Sequence, residues 1–370
     1  LSAVTSGGSN VALGYNALSA NTTGYSNVGI GIQALGEQTV TGNTNIAIGY
    51  QAGLKITSGG QNIMIGHRPA GYISNCTNQL AIGYEALSNV SATTQNVAIG
   101  NYALNKITAG TNSVAVGNYA GAYATGSNNT FVGSDAGKGG TTGAPYSSGG
   151  SNTAIGYEAL AGFTTGGNNI ALGSGALKTH TTGTGNVAIG PAAMTNTDAG
   201  TTSQDSDYNT FIGWAAGNGA WTNSKSEYNT VVGGAAMTAA LTSVVYSSVF
   251  GYRAGESITE ARASTIVGGI GGANLATGYG NVILGYNGAN TLVGGAYNTY
   301  LGYQADASGA NVSDEIVLKA GVDVLAGGGT ETIRIGVDSD YIVNDFGENA
   351  TWTHSSDRRI KKNIEDNDLG

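Results

Sequence analysis

Large apolar residues recur along this chain at one fixed place in a short repeat. The unit is Asn, three apolar or small residues, Gly, two variable residues, Ala, first at Asn10–Gly14 with Ala17 and last at Asn298–Gly302 with Ala305. Its glycines fall at 14, 31, 49, 66, 83, 100, 117, 133, 156, 173, 190, 213, 233, 251, 268, 285 and 302, so ten of the sixteen intervals are 17 residues. A period this short predicts a solenoid, in which each repeat is one coil stacked on the last. The expected fold is all-β, a parallel β-roll or β-solenoid of about 17 coils with a 17-residue period.

The coil Asn96-Val97-Ala98-Ile99-Gly100 illustrates the pattern. Residues 96–99 read as a short strand, and alternation puts Val97 and Ile99 on one face with Ala98 on the other. We expect the Val/Ile face to form the core. On that reading the small column, Ala12, Ala47, Ala81, Ala98, Ala115, Ala154, Ala171 and Ala188, points outward. It enlarges to Phe211, Val231, Val249, Ile266, Ile283 and Tyr300. An outward apolar column needs cover, which predicts a homo-oligomer. The Gly is expected to turn a corner at positive φ, and the Asn column to stack as an amide ladder.

Composition agrees with this picture. Gly is 63 of 370 residues, Pro only three, and charged residues 10%. Proline scarcity suits a ladder that needs every backbone donor. The net charge of −9 argues against nucleic acid as a partner. Cys76 is the sole cysteine, so no intrachain disulfide forms. No apolar run approaches 18 residues, so no membrane-spanning helix is expected. The expected domains are a solenoid over 1–305, a small β neck or tip over 306–355, and a distinct C-terminal segment over 356–370. The middle segment carries nine acidic residues against Lys319 and Arg334, with alternating stretches at 315–319 and 332–336.

Asn112-Ser113-Val114-Ala115-Val116-Gly117 and Asn152-Thr153-Ala154-Ile155-Gly156 resemble the head repeats of trimeric autotransporter adhesins. That resemblance implies a parallel β-roll assembled as a trimer, although the coil here is longer than the usual head repeat. Ser355-Ser356-Asp357-Arg358-Arg359-Ile360-Lys361-Lys362-Asn363-Ile364 resembles the opening of the endosialidase-type intramolecular chaperone of phage tail fibres and tailspikes. By that resemblance Ser356 is the nucleophile, Ser356–Asp357 the bond cut, and Lys361 the activating base. A serine hydroxyl needs such a base to become nucleophilic. Self-cleavage is expected only where the complete chaperone domain is present.

Candidate chemistry elsewhere is sparse. Tyr15, Tyr50, Tyr84, Tyr157, Tyr252, Tyr286 and Tyr303 follow the corner glycine, as does Trp214. They suit either glycan stacking or shielding of the coil edge. Tyr208, Trp221 and Tyr228 lie in the long intervals 190–213 and 213–233, where insertions become loops, and with Trp214 form the candidate binding set. Asp198, Asp205 and Asp207 match no calcium-loop spacing and read as solvated acids. His67, His180 and His354 are scattered, so neither a metal nor another cofactor is expected. Glycoside hydrolysis needs two carboxylates across one cleft, and no clear pair stands in the repeats. Together with the two resemblances, which imply a trimer and a phage fibre, this makes the expected function structural and adhesive: a trimeric viral tail fibre, without catalysis by the rod, that carries loops and a tip to a host surface glycan or protein. A bacterial trimeric surface adhesin is the alternative, with a cell-surface location, and a tailspike polysaccharide depolymerase is the second.

Overall fold

The computed structural model describes residues 5–89, 94–140, 146–197, 205–222, 225–347 and 349–354. The described chain contains no α-helix and winds as a parallel β-solenoid of about 18 turns with a period near 17 residues. It divides into two compact units, Leu1–Asn209 and Thr210–Gly370.

In the first unit, eleven three-residue strands run from Val11–Leu13 to Val187–Ile189. Each pairs in parallel with the next in sequence, so that Val97 lies on Val114, Ala98 on Ala115 and Ile99 on Val116. The strand ends at the corner glycine. Gly83 has φ +133°, and a Cβ there would stand 2.6 Å from the carbonyl oxygen of Gly100 in the next coil. Both the dihedral and the close approach require glycine.

The buried face is opposite to the one expected. Ala47, Ala81, Ala98, Ala115, Ala154, Ala171 and Ala188 are completely buried. Ile170 and Leu172, which flank Ala171, are 42% and 41% exposed. Alternation fixes that the flanks share a face; it does not say which face is inside. Coil width decides that. The central residue packs against the Ala and Leu that follow the corner glycine by three and four positions, such as Ala86 and Leu87 or Ala103 and Leu104, all buried. A Cβ on Gly29, the central residue of its strand, would lie 3.1 Å from Leu18 Cγ, so the space is already close-packed. Where the central residue is large, the facing position becomes glycine. Cβ atoms added at Gly121 and Gly53 would lie 2.7 Å from Phe131 Cδ2 and 2.8 Å from Met64 Sδ.

The Asn column is buried and forms the expected ladder. Asn27, Asn45 and Gln79 each donate a backbone N–H to the side-chain oxygen one coil earlier, at 2.8, 2.9 and 3.0 Å. Each amide nitrogen spans onward: Asn27 Nδ2 donates to Gly42 O at 2.8 Å and Asn62 Nδ2 to Cys76 O at 2.9 Å. Ser113 substitutes with its hydroxyl, accepting from Asn129 N at 3.2 Å. One side chain per coil thus satisfies polar groups of two neighbouring coils.

In the second unit the same pairing runs from Thr210–Ile212 to Thr299–Leu301. It continues past residue 305, where Ile316–Ala320 pairs in parallel with Thr299–Leu301 and then with Thr332–Val337. Only after that does the chain turn antiparallel, through Asp340–Asp345 and Asn349–His354. The described residues past 305, placed by the sequence in a separate neck or tip, begin by extending the solenoid. Glu315 occupies the Asn position of this added coil, with its backbone N–H donating to Asn298 Oδ1 at 3.0 Å. Its buried carboxylate accepts from Tyr300 Oη at 2.8 Å, Gly329 N at 2.8 Å and Ser308 N at 3.2 Å. Burial and this carboxylate together push the Tyr300 phenol well above its ordinary pKa.

Candidate functional site

Two surfaces distinguish the coils. The first is the outer strand face. Because the central residue points inward, its apolar neighbours line the outside in successive coils: Ile46 and Ile48, Ile63 and Ile65, Leu80 and Ile82, Val97 and Ile99. All are half-buried or exposed. Stacking in register makes this a continuous apolar stripe, larger than the isolated apolar residues normal on a monomer surface. In the second unit Phe250, Val267 and Leu301 extend the same motif.

The second surface lies past the corner glycine and is aromatic. Tyr50, His67 and Tyr84 stack in three successive coils, with centroids 4.9 and 5.0 Å apart. Tyr84 then meets Tyr102 edge-on at 5.2 Å, and Tyr102 stacks on Tyr119 at 4.8 Å. The first three follow the glycine directly, while Tyr102 and Tyr119 stand one residue further on. Reading only the position after glycine therefore finds Tyr50 and Tyr84 but misses the rings that complete the ladder. A search for aromatics one repeat apart, tolerant of a one-residue shift, would find all five. In the second unit Tyr228 stacks on Tyr246 at 5.3 Å and Tyr286 on Tyr303 at 5.7 Å.

The four aromatic candidates from the long intervals separate by environment. Trp214 is 61% exposed, and Tyr208 and Tyr228 are also exposed. Trp221 is fully buried: its ring packs on Phe211 at 5.5 Å and Nε1 donates to Gly217 O at 3.0 Å. It fills its own coil and offers no face to a ligand. Its indole N–H has the internal partner that burial demands. Tyr208 belongs to the first unit and lies over Gly185, where an added Cβ would come 2.8 Å from Tyr208 Cδ1. Ser356, Asp357 and Lys361 lie outside the described residues, as does Asp198.

The two described aspartates of the long interval 190–213 are held structurally. Asp205 accepts from Thr182 Oγ1 at 2.7 Å and Asp207 from Thr184 N at 2.6 Å. Among the described residues no three His, Cys, Asp or Glu side chains are grouped so as to hold a metal. No helix is long and apolar enough to cross a membrane among them either. Burial pushes the Cys76 thiol up to about 12, which leaves it an unreactive core side chain at neutral pH. His180 is enclosed completely, with Nδ1 3.1 Å from Thr197 Oγ1 and Nε2 3.1 Å from Asn186 Nδ2. Burial lowers its pKa to about 4, so the ring is neutral and belongs to the Asn ladder. No protein-family model, curated protein or solved structure matches this chain.

Proposed function

We propose that the protein is a homotrimeric structural and adhesive fibre component of the viral tail-fibre kind, carrying recognition surfaces to a host cell without catalysis by the solenoid. The observation that carries this reading is the apolar stripe on the outer strand face. Fully burying a Val, Leu or Ile contributes roughly 1.5–3 kcal/mol, and the half-exposed flanks recur coil after coil. A second copy of the same periodic surface presents a matching apolar column at the same rung spacing. The resemblance of residues 112–117 and 152–156 to trimeric adhesin heads favours three copies over two. The resemblance of residues 355–364 to the chaperone opening favours a phage fibre over a bacterial adhesin.

The adhesive part of the reading is tested by mixing the assembled protein with capsulated bacterial cells. The expected result is retention on cells of a susceptible strain, with no increase in reducing sugar ends. Release of oligosaccharides by the purified chain would instead make it a depolymerase.

A further inference from the structure

The geometry points to a saccharide-binding groove in the first unit, formed between residues 85 and 123, that takes an acidic pyranose unit such as a uronic or sialic acid. This deepens, and rests on, the reading of the chain as a surface-recognition fibre. The groove has a volume of about 260 Å³ and is lined by Glu85, Tyr102, Asn105, Lys106, Tyr119 and Tyr123. These residues lie past the corner glycines, on a different segment of the coil from the strand flanks assigned to assembly.

Its aromatic wall is already set. Tyr102 and Tyr119 are stacked with an 18° interplanar angle, and the Tyr84 edge supports Tyr102 from one coil earlier. The Lys138 ammonium sits over the Tyr119 ring at 5.1 Å and is itself held by Asp135 at 2.8 Å. Tyr123 stacks on Tyr146 at 5.9 Å. Asn105 is fixed from two sides, donating to Glu85 O at 2.9 Å and accepting from Asn89 Nδ2 at 3.4 Å. Rings held this way lose little conformational freedom when a ligand packs on them.

Charge gives the ligand class. Glu85 is paired with Arg68 at 3.6 Å and Lys138 with Asp135. The Lys106 ammonium lines the groove and has no partner among the described residues. Because stacking covers the faces of Tyr102 and Tyr119, a pyranose would lay its apolar C–H face across their half-buried ring edges and offer hydroxyls to the carboxylate of Glu85. A ring carboxylate would complete the set by pairing with Lys106, a charge-assisted contact of the stronger kind. Few convergent polar groups beside aromatic walls are the usual make-up of a small-ligand site.

The test is saturation-transfer NMR and calorimetric titration of the full chain with methyl glucuronide, N-acetylneuraminic acid and, as the neutral control, methyl glucoside. At least one acidic sugar should bind about tenfold or more tightly than the glucoside, the magnitude of one charged hydrogen bond. Lys106→Gln should remove that preference, Tyr119→Ala should abolish binding, and Tyr119→Phe should retain it. Tyr25→Ala, outside the groove, should change nothing. Binding of neither acid, equal binding of acid and glucoside, or no effect of Lys106→Gln would overturn the assignment. Light scattering on the same samples separates the two readings. An assembled protein that ignores both acids refutes the groove and leaves the fibre reading standing. A monomer that binds them refutes the fibre reading and keeps the groove.

Discussion

An alanine at the centre of a three-residue strand sets the width of most coils of the first unit, and a histidine buried beside the ladder sets a pH limit on it. His180 is neutral in the folded chain because its enclosed site penalises the charge, with a pKa near 4 against 6.5 in an ordinary setting. Between those values the unfolded chain takes up a proton that the folded chain refuses. Stability from this residue is therefore complete above pH 6.5, falls as the pH drops towards 4 and levels off below. The full change is about 3 kcal/mol. Comparing unfolding of the wild type and His180→Gln across that window isolates the effect from the titration of carboxylates. The wild type should lose more stability on acidification than the variant. Parallel curves would show that His180 is not held neutral.

At the scale of the element, the coil is held by one backbone ladder and one side-chain ladder. Asn62 Oδ1 accepts a hydrogen bond from Gln79 N, and its Nδ2 donates to Asn45 Oδ1 and Cys76 O. Asn62→Ala removes these side-chain partners from Gln79 N and Cys76 O, at about 1–3 kcal/mol, while Asn45 Oδ1 keeps the backbone N–H of residue 62 at 3.2 Å. Hydrogen exchange at the Gln79 amide should accelerate, with coils further away little affected because each coil contacts only its neighbours. Unchanged exchange would mean the ladder contributes no protection.

This ladder was legible in the sequence, since an Asn that recurs at the head of most strands needs a repeating partner. The direction of the strand was not. Alternation in Val97-Ala98-Ile99 is symmetric with respect to inside and outside, and the usual preference for burying the larger residues selects the wrong face. The signal that resolves it lies elsewhere in the chain. Phe131 and Phe211 occupy the central position where Ala usually stands, and glycine appears at 121, 137 and 217, where Leu or another apolar residue often stands. Volume exchanged between two positions means that they face each other inside. Trp221 is a similar case: its insertion suggested a loop, but an indole one coil width from Phe211 completes the core.

At the scale of the whole molecule, the periodicity, the parallel pairing and the corner glycines were all readable from spacing alone. The end of the solenoid was not, because Glu315 replaces Asn and Lys319, after Leu318, stands where the corner glycine would be, while the backbone pairing continues. The inverted strand changes which residues would carry assembly in the proposed trimer. Ala115→Glu, which would test an interface if Ala115 faced outward, places a charge in a completely buried position and should unfold its coil rather than separate chains.

The direct test is light scattering on the wild-type chain and on a variant with Ile82→Glu, Ile99→Glu and Val116→Glu, accompanied by circular dichroism. The chain mass is 36.9 kDa. The wild type should scatter as a trimer. The variant, with charges on three successive outer flanks, should retain its β signal and fall to the monomer mass. A soluble wild-type monomer, or a variant that remains trimeric, would contradict the assignment of the strand face to assembly.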